Sequence, residues 1–290
     1  MIDMHTHSLA SDGSFSPSEI VKEAEKIGLY AFALTDHDTI SGLEELELAS
    51  ERRGYARAVQ GVEISARLGE SSIHLCGLFI NRSSVELGDL LKRARDGRNM
   101  RNIQITEKLN GLGFDISMED VLGVSDGESV GRPHFAKILI KKGYFKTIQE
   151  VFDKLLKRGE PAYVERKLPS PGEAISAIHK SGGISIWAHP FARRNLNRRV
   201  FRESLDYIKD LGLDGLEAYY STYDKGIQEY ICQVAKEENL LISGGSDFHG
   251  ENMDGVMLGS GMGGLLIPDE VFQPLQEAAS KIKVIGDGSA

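Results

Sequence analysis

Two rhythms of apolar residues alternate along this chain. Short apolar runs suit strands, and stretches with apolar residues every third or fourth position suit amphipathic helices. The runs at 2–4, 31–35, 59–64, 73–80, 184–188, 215–218 and 240–243 read as strands. Helix starts stand between them. Ser16-Pro17-Ser18-Glu19 offers an N-cap serine, a proline in the first turn and a glutamate that completes a capping box. Ile20, Val21, Ala24 and Ile27 form the stripe of that helix, and Gly28 ends it. A second helix is expected over 41–53. Ser170-Pro171-Gly172-Glu173 repeats the start signal, and that helix ends at Gly182-Gly183. A helix near 269–279 and a strand near 281–285 are expected to close the chain. Strand and helix in alternation argue for an α/β fold with a parallel sheet or barrel.

The rhythm breaks between 84 and 158, where no convincing strand appears. Val85, Leu87, Leu90, Leu91 and Ala94 start a helical stripe, continued by Ile103, Ile105, Leu109 and Leu112. Helices are also expected over 117–122 and 133–142, and Thr147 with Glu150 predicts a capping box before Val151, Phe152, Leu155 and Leu156. The pattern predicts a helical insertion over 84–166, placed to act as a lid, within a barrel formed by 1–83 and 167–290.

Composition narrows the picture. A chain of 290 residues that is 41% hydrophobic and 27% charged can bury a sizeable core. Its net charge, 34 − 43 = −9, argues against a nucleic-acid coat. An anionic substrate therefore needs local positive charge. The two cysteines, Cys76 and Cys232, are far apart and read as inert core residues. No signal peptide opens the chain and no apolar stretch is long enough to span a membrane, so a cytoplasmic protein is expected.

The chemistry starts at His5-Thr6-His7. Side chains at i and i+2 of a strand point the same way, so the two imidazoles project together. Alone, the pair is better explained by an exposed strand end than by metal binding. Six more stretches repeat the signal. Of eight histidines, His5, His7, His37, His74, His134, His189 and His249 fall at strand ends, in a strand or in a turn. His179 sits mid-helix and reads as a surface residue. Asp12, Asp36, Asp38, Glu63 and Asp247 accompany them. Burying so many imidazoles and carboxylates is costly unless they are paired or bind metal.

Met4-His5-Thr6-His7-Ser8, Leu34-Thr35-Asp36-His37-Asp38, Gly61-Val62-Glu63-Ile64-Ser65, Ala188-His189-Pro190 and Gly245-Ser246-Asp247-Phe248-His249 resemble, in order, the motifs of the PHP (polymerase and histidinol phosphatase) family of metal-dependent phosphoesterases. The segments Gly131-Arg132-Pro133-His134-Phe135-Ala136 and Gly159-Glu160-Pro161-Ala162-Tyr163-Val164 resemble the branch of nucleoside 3′,5′-bisphosphate phosphatases and 5′-to-3′ exonucleases of the ribonuclease AM type. The resemblance implies a distorted (β/α)7 barrel and two or three divalent ions. His5 and His7, with Glu63 and Asp247, would hold the first. Glu63 would bridge to a second, held also by His74 and His189. Asp12, His37 and His249 would hold a third, or bind substrate. Mixed imidazole and carboxylate ligands suit Mn²⁺, Zn²⁺ or Fe²⁺.

The expected chemistry is attack of a metal-bridging hydroxide on phosphorus, with Glu63, Asp247, His249 and His37 as catalytic residues. Arg132 and His134 read as a phosphate clamp, against the plainer alternative of a helix start. Arg193 and Arg194 read equally as contacts for a second phosphate or as an exposed loop pair. Tyr219 and Tyr220 follow Glu217 and read as core at least as well as a platform on which a base stacks. The expected partner is a small phosphorylated nucleotide or a short RNA end, not a membrane or double-stranded DNA. The expected reaction is removal of the 3′-phosphate of a nucleoside 3′,5′-bisphosphate, extending to trimming of short RNA. Rival readings are a phosphoesterase for a cyclic sugar phosphate or histidinol phosphate, a C–N amidohydrolase and a non-catalytic PHP module.

Overall fold

A computed structural model describes residues 1–55, 57–123, 130–192 and 197–287. The strands are β1 (Ile2–Thr6), β2 (Ala31–Leu34), β3 (Ala58–Leu68), β4 (Ser71–Leu78), β5 (Ile184–Ala188), β6 (Gly215–Tyr220) and β7 (Leu241–Gly245). The helices are α1 (Pro17–Lys26), α2 (Leu43–Arg53), α3 (Val85–Gly111), α4 (Met118–Leu122), α5 (Arg132–Lys141), α6 (Ile148–Val151), α7 (Pro171–Lys180), α8 (Arg198–Asp210), α9 (Lys225–Glu237) and α10 (Phe272–Asp287). A π-helical turn, Phe152–Leu156, continues α6. The serine-started capping boxes form at Ser16, Ser117 and Ser170. At Thr147 only half of one forms. Its side chain accepts from the Glu150 N–H, while the Glu150 carboxylate accepts from Lys146.

The seven strands pair in chain order, and a Thr6–Phe248 bridge brings the ends of the sheet together into a nearly closed barrel. The expected all-parallel order needs one correction. β4 runs antiparallel to both neighbours. No helix separates β3 from β4. They form a hairpin turning at Gly69, whose φ of 55° is left-handed. The reversal has a consequence for the site. The early residues of β4, His74 among them, lie at the end where the parallel strands finish.

Period-2 alternation sorts the strands' two faces into different clusters. Phe32 and Leu34 pack with Ile20, Val21, Leu43 and Leu46 of the surrounding helices. Ala31 and Ala33 pack with Ile2, Met4, Val59, Ile186 and, on α10, Phe272 and Leu275. The strand expected near 281–285 is instead the end of α10. Its alternating residues imitate a strand, but no Gly or Pro interrupts the helix between Leu275 and Ile285, and β1 already meets β7.

Among its described residues the segment between β4 and β5 holds helices joined by turns and loops, and no strand. Phe135, Leu139, Val151 and Leu156 form a cluster with Ile105 and Leu109 of α3. The first turns of α3 belong elsewhere. Leu87, Leu90 and Leu91 pack into the barrel's larger cluster. One 27-residue helix thus spans both cores. Its expected stripe members Val85 and Ile103 are exposed. Among the described residues no helix is long and apolar enough to cross a membrane.

Candidate metal centre and the arginine-lined cavity beside it

Strand ends bring the nine expected ligands together. His5 lies in β1 and His7 one residue past it, where the β1–β2 ladder shifts register between Asp3 and Thr6. Such irregularities re-aim side chains. β7 runs so close to β1 that a Cβ at Gly245 would come within 2.2 Å of the His5 Cβ, so only glycine fits there. His37 follows β2 and bridges to Glu63 of β3. His74 pairs with Ser65 on one side and Ala188 on the other. His189 follows β5, and Asp247 and His249 follow β7. Asp38, His189 and Asp247 carry positive φ values of 55°, 32° and 58°. Non-glycine residues held there store strain, which collects at functional sites.

The donors converge on Glu63 and Asp247. The Glu63 carboxylate lies 2.8 Å from His74 Nδ1, 3.0 Å from His189 Nε2 and 2.7 Å from His37 Nδ1. His5 Nε2 is 3.4 Å from both Glu63 and Asp247. His7 Nε2 is 3.4 Å from Glu63 and 3.1 Å from Asp247. Asp12 stands 3.3 Å from His249 Nε2 and 3.8 Å from His37 Nε2. Four overlapping groups have ligand atoms close enough for one ion each: His7-Asp12-His37-His249, His5-Glu63-His189, His5-His7-Asp247 and His37-Glu63-His74.

These residues fit a metal. Both ring nitrogens of His7 are fully buried without a hydrogen bond, as is Glu63 Oε2. Buried polar atoms are rarely left so. Protons cannot settle the cluster. The His7 and His249 rings stack at 4.1 Å and the His7 and His37 rings lie 4.6 Å apart, so protonating all of them sets like charges together. Burial pushes the His7 imidazole down to about 3, and the neighbouring His249 adds to the effect. Burial would lift the Glu63 carboxyl, but His37, His74 and His5 hold it well below the usual carboxylate range. Divalent cations can satisfy the converging lone pairs and carboxylates together.

A surrounding layer orients the cluster. Glu217, buried on β6, accepts from His5 Nδ1 at 2.9 Å and from the His189 N–H at 2.6 Å. That contact turns His5 Nε2 towards Glu63 and Asp247. Tyr220 donates to Asp247 at 2.9 Å, so it belongs to the site's surroundings and not merely to the core. Asp36 accepts from the Ser8 N–H, the Ser8 hydroxyl and the Ser11 hydroxyl, pinning the loop that carries Asp12. Sequence reasoning noted Glu217 as a strand residue but gave it no role. Its place near the end of an apolar strand was the available signal. The Cys76 sulfur lies 3.7 Å from His5 Nδ1, and burial pushes its thiol up to about 12. Cys232 is half-buried beside Tyr219.

Beside the cluster opens a cavity of about 370 Å³, lined by Arg67, Arg98, Arg101, Arg132 and Arg166 and bounded by Asp12, His37 and His74. Arg132 donates to the Leu156 carbonyl at 3.1 Å, and its guanidinium lies 5.8 Å from the Phe152 ring and 5.7 Å from Tyr163. His134 serves its own helix. Its Nδ1 accepts from the Gly131 N–H at 3.0 Å, and it does not line the cavity. Arg98, Arg101 and Arg166 were not singled out from sequence, where they look like a solvated helix face and a loop. Arg193 and Arg194 lie outside the described residues. His179 is not a free surface residue. It is half-buried, with Nε2 2.7 Å from Asp214, because the end of α7 packs against the turn before β6.

A family model for the PHP domain matches residues 3–165. This chain belongs to the PHP family. A 5′-3′ exoribonuclease of Haemophilus influenzae is 35% identical over 260 residues, 87% of this chain and 94% of that protein. A 3′,5′-nucleoside bisphosphate phosphatase of Chromobacterium violaceum is 32% identical over 249 residues, 86% and 87% of the two chains. A solved structure from Bifidobacterium adolescentis, assigned as a metal-dependent phosphoesterase, has a TM-score of 0.82 at 30% identity and covers 94% of each chain. The chain is a metal-dependent hydrolase of phosphoester bonds.

Proposed function

We propose that this PHP protein removes the 3′-phosphate of nucleoside 3′,5′-bisphosphates and trims short 5′-phosphorylated RNA. The observation that carries the reading is the arginine-lined cavity sharing Asp12, His37 and His74 with the cluster. A substrate with two phosphates can place one at the cluster and the other among the arginines. The activities named for the Haemophilus and Chromobacterium relatives support the same reading.

His5, His7, Glu63 and Asp247 would hold one ion, Glu63, His74 and His189 a second, and Asp12, His37 and His249 a third, with Mn²⁺, Zn²⁺ or Fe²⁺ suited to the donors. Bound there, such ions supply Lewis-acid polarisation of phosphoryl oxygens and water acidified towards neutral pH. The protein's own groups do the rest. Glu63 and Asp247 present carboxylate oxygens on the reacting side, and Tyr220 keeps Asp247 oriented. Where that third ion is not held, His249 and His37, both facing Asp12, are placed to hold a proton for the leaving oxygen. Arg101 and Arg132 receive the remote phosphate, and its binding energy aligns the reacting one. In this reading residues 84–166 form the lid that selects substrate. The protein works in the cytoplasm on small nucleotides or short RNA ends, not on membranes or double-stranded DNA.

A phosphate-release screen of the Mn²⁺-loaded protein tests this. It should span 3′,5′-bisphosphates, mononucleotides, cyclic phosphates, histidinol phosphate and short 5′-phosphorylated RNA. The bisphosphate should show the highest kcat/KM, above the matching 3′-monophosphate. Equal values for those two, or preference for a cyclic or non-nucleotide phosphoester, would overturn the substrate assignment.

A further inference from the structure

Asp38 belongs to none of the groups able to hold an ion, yet it is fully buried one residue from His37. Its N–H donates to the Glu63 carbonyl at 2.8 Å, which ties its backbone to the cluster's central residue. Its side chain faces the other way. Oδ1 accepts from the Ser65 N–H at 3.0 Å, and Oδ2 accepts from Arg98 Nη2 at 2.5 Å and Arg166 Nη2 at 2.8 Å. Its carbonyl accepts from Arg95 Nη1 at 3.1 Å. Arg95 and Arg98 come from α3, and Arg166 from the segment returning to the barrel. Arg166 also donates to the Ala94 carbonyl at 2.9 Å. Three separate stretches of chain are therefore tied together at one residue.

The charges make this more than a structural tie. A single carboxylate cannot neutralise two guanidinium groups. The Nε–H groups of Arg98 and Arg166 are buried without an acceptor. Arg101, also buried, donates to Asn102 Oδ1 and the Val130 carbonyl, both uncharged acceptors. The cavity keeps an excess of positive charge, held in place by its acid. His37 and Asp38 are consecutive and face opposite ways, one towards the cluster and one towards the arginines.

We propose that Asp38 is a positioning residue that sets the spacing between the reacting phosphate and the arginine-held one. This rests on the bisphosphate reading above. Asp38→Asn removes a negative charge from a cationic cavity, so a purely electrostatic role predicts equal or tighter phosphate binding and an unchanged kcat. A positioning role predicts a different split. The bisphosphate kcat should fall about tenfold to a hundredfold, the cost of a small misplacement, while KM does not rise. The 3′-monophosphate, which lacks the remote phosphate, should keep its kcat, and metal content should stay the same.

A second readout needs no turnover. The ³¹P relaxation of adenosine 5′-monophosphate bound to the Mn²⁺-loaded protein reports the distance from phosphate to metal. Asp38→Asn should change that rate at equal Mn²⁺ content. Arg166→Gln cuts the same link from the other side and should likewise lower the bisphosphate kcat and change the relaxation rate, with a higher KM because Arg166 also lines the cavity, which covers the case where Asp38→Asn does not fold. An unchanged relaxation rate, or parallel loss of kcat on both substrates, overturns the Asp38 role alone. A wild type that treats bisphosphate and 3′-monophosphate alike overturns the substrate reading and this role with it.

Discussion

The two walls of the site differ in construction and in charge. One is made of strand ends, with imidazoles and carboxylates gathered around Glu63 and buried enough that neither nitrogen of His7 has a hydrogen bond. The other is made of a long helix, a helix start, a loop and the end of β3, and presents guanidinium groups to a cavity. The first wall calls for cations and the second for anions. A strand-end frame holds ligand atoms to the tenths of an ångström that coordination demands. In the proposed reading, selectivity rests on the second wall while the chemistry stays in the barrel.

The largest effect that tests this contrast lies at Glu63, which belongs to two of the four donor groups. Glu63→Ala should lose at least one ion per chain by elemental analysis and abolish phosphate release on every substrate. Full metal content in this variant would break the first wall. Arg101→Ala and Arg132→Ala should do the opposite. Each should keep its metal and lower kcat/KM for the bisphosphate by roughly 1.5–3 kcal/mol, the scale of a charge-assisted hydrogen bond. The 3′-monophosphate should be spared, and steady-state kinetics on both substrates would show otherwise if the arginines act through the metals.

Smaller effects sharpen the boundary. Glu217→Gln keeps the shape but weakens the hold on His5, so metal affinity should fall about 10- to 100-fold in a chelator competition. An unchanged affinity would mean that His5 is oriented without it. Smallest is a thermal shift. Mn²⁺ at a hundredfold excess over its dissociation constant should add about 2.7 kcal/mol of stability, which raises the melting temperature by roughly 4–5 °C. Calorimetry of Glu63→Ala should show little of that shift, and Arg101→Ala should show all of it.

The strand-end wall could be read from sequence because its ligands sit in local patterns. His5-Thr6-His7 and Asp247-Phe248-His249 declare themselves by their spacing, and apolar runs lead into each. The alternation of elements and the serine-started helices were readable for the same reason. The arginine wall was not. Arg67, Arg98, Arg101, Arg132 and Arg166 come from four separate stretches, and on α3 the pair at i and i+3 looks like any solvated face. They meet only in the fold, where Asp38 after β2 ties α3 to the segment that carries Arg166. Misreadings elsewhere have the same origin. The direction of β4 depends on a two-residue turn at Gly69-Glu70, and the false strand at 281–285 shows a short alternating pattern where a helix simply continues.

The close approach of His5 to Gly245 also orders events during synthesis. The histidines that open the cluster leave the ribosome first, and their partners Asp247 and His249 follow some 240 residues later. At typical elongation speeds that is a wait of roughly 10–50 s. Through that interval the nascent chain carries imidazoles and Glu63 with the last carboxylate missing. Full coordination therefore signals that synthesis has passed β7, and a ribosome stalled before β7 leaves a chain that cannot assemble the whole set of ligands.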